Sequence, residues 1–302
     1  MSVSKSVSLG VFPNLYGEIL VYYLRINHED FGMRRIQGWL FGLLCLLVLP
    51  AHAEVIDVQL HYVGPTEGSV WLGMQQGLDE ANIQGEFLGQ KYSLKPVTIG
   101  ELSQQQSVTA VLLAVDGEQA LSIAQSDQFA SVPVFNMTSD SDALRSACLP
   151  NFLNITASQK MKQDAVAQML DKNPDSKAHA QGWHKDFKKF AASQLNIRFT
   201  KAQDAIMDDD AWAGWAAVKL LSDTVARTQS TDAAVTLNYL KNDIAFDGQK
   251  GAGATFRDTG QLRQLVLLVE NDKIIAEAPL RGVKGGLDSL GLSSCKKADP
   301  LY

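Results

Sequence analysis

The chain is 302 residues long, 46% hydrophobic and 20% charged, with 23 Gly and 9 Pro, which excludes disordered and collagen-like chains. Its 27 basic against 33 acidic residues give a net charge of −6, so there is no basic field for a phosphate backbone and no nucleic-acid partner is expected. The cysteines, Cys45, Cys148 and Cys295, are too few for a disulfide scaffold and lack the C-x-x-C spacing of a zinc site.

The first segment reads as targeting. Met33-Arg34-Arg35, an apolar run from Trp39 to Leu49 and Pro50-Ala51-His52-Ala53 have the basic start, apolar core and small-x-small end of a secretory signal peptide over 33–53, cleaved after Ala53. Residues 1–32 would place that signal internally, so they are expected to be a non-native upstream extension, with Met33 the true start. Leu44 before Cys45 does not suit lipid attachment, and no membrane span is expected after cleavage. A periplasmic location follows as an expectation, and there Cys148 and Cys295 have reason to pair. Two buried free thiols are the competing reading, which only distance in the fold decides.

Val55–Val63 is β-branched and aromatic, and it stops at Gly64-Pro65, as a first strand would. Val70, Met74, Gly77, Leu78 and Ala81 then form one apolar stripe, predicting a helix from Ser69 to about Ala81 that ends at Asn82 and Gly85. Strands follow over Tyr92–Ile99 and Val108–Val115, the second apolar enough to be buried on both faces. A short helix over Gly117–Phe129 and a strand over Val132–Asn136 complete a pattern of alternating elements that predicts an open, mostly parallel α/β sheet flanked by helices.

Farther on, Ser158–Leu170 predicts an amphipathic helix and Asp171–Lys177 a polar, proline-containing linker. Helices are expected over Trp183–Gln194, Asp209–Thr228 and Asp232–Leu240, the last capped by Thr231. Arg257–Gly260 reads as a turn, Leu265–Glu270 as a strand, and Asn271-Asp272 as a hairpin turn into Lys273–Ala276.

The order of strand, Gly68–Gly73 loop, helix, strand and Val134–Thr138 strand end resembles the first lobe of type I periplasmic solute-binding proteins. Asp209–Leu220 through Thr228, with Phe256–Leu262, is similar to the tail of branched-chain amino-acid-binding proteins. More narrowly, Ser146–Asn151 and Gly260–Val269 resemble the ABC-type binding proteins that accompany pyrroloquinoline-quinone (PQQ)-dependent alcohol dehydrogenases. The resemblance implies a first lobe from 54–150 plus 183–261, with 151–182 plus 262–302 a remnant of the second lobe, because only a dozen residues separate Leu170 from Trp183 where relatives carry most of that lobe. It implies a small-molecule solute as ligand, with an ABC permease or a periplasmic quinoprotein dehydrogenase as partner.

In an open α/β sheet the crevice lies outside the carboxyl ends of the strands. The residues carried over as ligand-binding are therefore Ser69 and Trp71 after the first strand, Asp116 and Gly117 after the third, and Thr138 and Ser139 after the fourth. Trp71 reads equally well as packing between helix and sheet, and Trp183, Trp212 and Trp215 read as core. Asp208-Asp209-Asp210 suits a helix N-terminus better than a cation loop. His61, His179 and His184 lack the partners of a metal site, so no metal or cofactor is assigned. Gly248–Gly253 lacks the Gly-Lys-Ser/Thr ending of a phosphate loop and reads as a flexible connector. No nucleophile elbow, zincin motif or reactive-cysteine context is present, so binding rather than catalysis is the expected activity. With the opposing lobe reduced, the alternative is a single-lobe accessory protein that binds a partner instead of closing on a ligand.

Overall fold

A computed structural model describes residues 55–251 and 253–295; the expected signal segment, 33–53, and the extension before it lie outside the described residues. The apolar runs form β1 (Ile56–Val63), β2 (Gln90–Pro96), β3 (Val111–Leu113), β4 (Val134–Asn136) and β5 (Phe152–Asn154), a wholly parallel sheet in the order β2-β1-β3-β4-β5. Every residue of β3, β4 and β5 is buried, because helices cover both faces. Helices α1 (Ser69–Leu88) and α7 (Asp209–Thr228) pack on one face against Leu60, Tyr62, Leu112 and Phe135. On the other face Val63, Val111 and Val134 meet α2 (Ile99–Leu102), α3 (Gly117–Ala124) and α4 (Asp142–Ser146).

Where α1 crosses α7 the backbones touch. A Cβ on Gly73 would lie 1.9 Å from the Ala211 carbonyl oxygen, and one on Gly214 would lie 2.3 Å from that of Val70. Neither neighbour is a side chain that can swing away, so Gly214→Ala is expected to cost about 1–3 kcal/mol despite its better helix propensity. Urea unfolding reads this directly, and a neutral or stabilising outcome would refute the close crossing.

The remaining strands build a second sheet, antiparallel, in the order β6 (His179–Gln181), β7 (Val266–Glu270), β8 (Lys273–Ala278). Asn271 and Asp272 join β7 to β8 with φ of 50° and 56°, the left-handed pair a two-residue hairpin turn requires. Val266, Leu268 and Ala278 on one face meet Met161 and Ala165 of α5 (Gln159–Lys172), while Leu267 and Val269 on the other join the main core beside Trp183. Cys148 and Cys295 form a disulfide with their Cα atoms 5.9 Å apart, fastening the C-terminal segment to the end of α4.

Several expectations need correction. Helix α1 runs to Leu88, since Asn82 leaves the helix intact by bonding both the N–H and the C=O of Tyr92, and Gly85 is small because the Gln90 carbonyl crowds it. Trp183–Gln194 is not a helix: Trp183 and Phe187 lie on an irregular segment, Phe190 and Ala191 have positive φ, and α6 starts only at Ala192, running to Gln203. Helix α8 (Ala233–Asn242) is capped by Asp232, whose carboxylate accepts from Val235 N–H, rather than by Thr231. Strands β5 and β6, three residues each, were not expected.

Candidate functional site

Parallel pairing aligns the ends of the central strands, with Ala114 N–H donating to Val63 O and Met137 N–H to Leu113 O. The loops that follow β1, β3 and β4 therefore emerge on one edge of the sheet. Ser69 begins α1 and its hydroxyl donates to Asp208 at 2.7 Å. Asp116 caps α3 by accepting from Gln119 N–H, and Gly117 stands against Ser139, whose Oγ would lie 3.1 Å from a Cβ there. The Thr138 hydroxyl donates to Val115 O at 3.4 Å, so it ties the β4 loop to the β3 loop. Trp71 is half-buried, its ring 5.5 Å from that of Tyr62, which places it between helix and sheet.

Beneath this edge sits a buried arginine. The Arg145 guanidinium donates to the carbonyls of Ser139, Ser141 and Thr156 and to the Gln261 side chain, at 2.7–2.9 Å. Burial lowers its pKa to about 10, which leaves it charged at neutral pH. Asn136 adds a bond from its amide to Ser139 O and receives Ser139 N–H. The backbone of the β4 loop is thus fixed from below. No local spacing signals Arg145, because its partners lie up to 116 positions away.

Acids crowd the rim. Asp208 caps α7 through Ala211 N–H, and Asp209 accepts the N–H groups of Gly182 and Trp183. Asp210 is pushed up to about 6 by burial and by its neighbours Asp208 and Asp209. The helix-terminus reading of the three acids thus describes Asp208 correctly and misses the long-range work of Asp209. The start of α5 is fastened to the same edge: Gln159 N–H donates to Asp140 O, Lys162 pairs with Asp140 at 3.1 Å, and Asp142 accepts Lys160 N–H. No group of three or more metal-ligating side chains occurs among the described residues.

Gly248 and Lys250 are anchored, contrary to the reading of Gly248–Gly253 as a flexible connector. Gly248 O accepts Trp212 Nε1–H, and the Lys250 side chain is buried over the Trp212 ring with Nζ 3.5 Å from its centroid. Lys250 donates to Gln264 Oε1 at 2.6 Å, and burial lowers its pKa to about 7.

No family model matches the chain, and no curated protein matches it. Solved structures do. A branched-chain amino-acid ABC transporter periplasmic ligand-binding protein from Burkholderia xenovorans LB400 superposes with a TM-score of 0.62 at 12% identity, covering 77% of this chain and 96% of that one. A solute-binding protein of an ABC transporter from R. palustris, in complex with benzoate, gives 0.59 at 12% identity over 80% and 100%. A leucine-binding protein from Thermotoga maritima MSB8 gives 0.58 at 11% identity over 73% and 98%. No helix among the described residues is long and apolar enough to cross a membrane. With a parallel five-stranded sheet flanked by helices and loops gathered at its carboxyl edge, the chain has the type I periplasmic-binding-protein fold.

Proposed function

We propose that the protein is a periplasmic solute-binding component of an ABC-type transport system, holding a small polar molecule against the loops that carry Ser69, Asp116, Gly117, Thr138 and Ser139. The observation that carries this reading is the emergence of those loops on one sheet edge, with the β4 loop held by Arg145. Trp71 belongs to the packing of α1 and supplies at most a wall. The proposed role is binding, because the edge presents hydroxyls and a carboxylate suited to hydrogen bonds with a small polar solute. The solute passes to a permease, and the resemblance of Ser146–Asn151 and Gly260–Val269 makes PQQ-dependent alcohol oxidation the setting to test first.

One arrangement favours a second reading, a partner-binding accessory protein. Gly182 and Trp183 are bonded to Asp209, and α5 is bonded to Asp140, so the smaller sheet is fixed to the larger one where a two-jawed protein would hinge. Thermal unfolding against amino acids, short alcohols, aldehydes, lanthanide salts and pyrroloquinoline quinone separates the two. Solute binding predicts a concentration-dependent rise in Tm with one compound, abolished in Thr138→Ala. If no compound moves Tm and a quinoprotein dehydrogenase co-purifies instead, the accessory role replaces it.

A further inference from the structure

A groove of about 940 Å³ runs along β8, the outer strand of the antiparallel sheet, away from the strand-end loops. Its floor is apolar, built from Met169 at the end of α5, Ile274 and Ile275 of β8, and Pro279, Leu280 and Leu287 beyond it. Ile275 is 45% exposed. The walls are preformed: Lys172 Nζ donates to Arg281 O at 2.7 Å, Leu280 N–H to Gln168 at 2.9 Å, and Lys189 pairs with Glu277 at 2.7 Å. Leu287 is held through its carbonyl by Arg257. A groove of this volume and lining falls in the range of small-molecule sites, roughly 300–1,000 Å³.

What fills it is not another strand. The register of β8 against β7 shifts beside Ile275, Lys273 is exposed, and Pro279 follows the strand, and a bulge, a lysine and a proline are the features that blunt an edge against pairing. Charge narrows the choice further. The chain carries a net −6, yet Lys172, Lys188, Lys189 and Arg281 line this groove against Asp186 and Glu277. Glu277 is already neutralised by Lys189, whereas the side chains of Lys188 and Arg281 make no hydrogen bond or ion pair among the described residues.

We propose that this groove binds an amphipathic carboxylate, with its hydrocarbon body on the floor at Ile275 and its anionic head between Lys188 and Arg281. The proposal rests on the reading of the protein as a solute binder and adds a second site, on a surface separate from the strand ends. Isothermal titration of the purified full chain with decanoate, decanol and decyltrimethylammonium tests it. Decanoate is expected to fill one saturable site at least tenfold more tightly than decanol, with no saturable binding of the cation. Lys188→Glu and Arg281→Glu should each weaken decanoate at least tenfold while leaving circular dichroism unchanged, and Lys188→Arg should restore it. Equal affinity for decanoate and decanol, or no saturable decanoate binding, overturns the proposal. Decanoate affinity that survives both charge reversals but disappears in Thr138→Ala also overturns the groove, yet spares solute binding at the strand ends. Tight decanoate binding beside a silent thermal panel sinks the strand-end site alone.

Discussion

Replacing both bridged cysteines, in the variant C148S/C295S, is expected to lower unfolding free energy by about 4–5 kcal/mol, the chain-entropy value for so long a loop. The bridge joins residues 147 positions apart, so more than half of the described chain lies inside it, from β5 to the C-terminal segment. The folded state should keep its contacts in the variant. The C-terminal segment is held independently by the Arg257 guanidinium, which donates to the carbonyls of Leu287, Leu290 and Leu292, and by Gly291 N–H on Asp164. The loss therefore arises mainly in the unfolded ensemble, which expands once the loop is opened. Two signatures follow: the denaturation midpoint falls, and the denaturant slope m rises because the opened chain exposes more surface. Urea unfolding of the variant beside the wild type measures both. A change below about 1 kcal/mol at unchanged m would show that the bridge does not constrain the unfolded chain.

Helix α7 was legible to the residue, Asp209–Thr228, because an acidic N-cap and an unbroken apolar stripe agree with each other and with the core that receives them. The hairpin at Asn271-Asp272 was equally plain, since turn chemistry is local. Trp183, Phe187 and Phe190 misled for the opposite reason: their spacing of four and three imitates a helix face and the rings do pack on one another, at 5.7 and 6.4 Å, but the backbone that carries them is irregular and is fixed by distant partners of Trp183. Trp183 stacks on Trp212 at 5.9 Å and donates its indole N–H to Asn196, and its backbone N–H is taken by Asp209. Strands β3 and β4 are as short as β5 and β6, but the apolar runs Val108–Val115 and Val132–Asn136 marked them, whereas β6, His179–Gln181, carries no apolar run and β5 follows directly on the turn at Pro150-Asn151.

The candidate site divides in the same way. Strand ends could be located because the end of a buried apolar run is visible in sequence, and the residues beyond β1, β3 and β4 do emerge together. What holds them was invisible. Arg145, Gln261 and Asn154 are brought together by the single parallel bridge between Asn154 and Gln261, a contact across 107 positions. The groove beside β8 was hidden for the same reason, since Lys188 and Arg281 stand far apart in sequence and line one groove only after the chain has folded. Lys250 was passed over because its glycine neighbours suggest mobility, and only the Trp212 ring beneath it changes that.

Lys250 should make stability depend on pH in a window where few other groups act. Its ammonium is buried among Trp212, Trp183 and Gln264, with the Asp209 carboxylate as the nearest influence of opposite charge and Arg263 lining the same small cavity. Burial outweighs the attraction of Asp209, and the folded-state pKa falls from 10.5 to about 7. Between those two values the unfolded chain holds a proton that the folded chain has released, so stability rises with pH, by up to about 1.4 kcal/mol per unit. Below about 7 both states are protonated, and the full cost of burying the charge is present. Asp210, raised to about 6, acts in the opposite sense but only between its unfolded value of 3.8 and that point, below the window. Tyr62, raised to about 12, and Tyr92, also raised, reverse the trend once phenols ionise in the unfolded chain above about pH 10. Urea unfolding from pH 7 to 9.5 is thus expected to give a climbing curve for the wild type and a flat one for Lys250→Met. Methionine keeps the length of the stem but strands Gln264 Oε1 without its donor, a penalty of about 1–3 kcal/mol, so the slope and not the absolute stability is the readout. A flat wild-type curve, or the same slope in both proteins, would mean that Lys250 reaches water in solution and is not buried against Trp212.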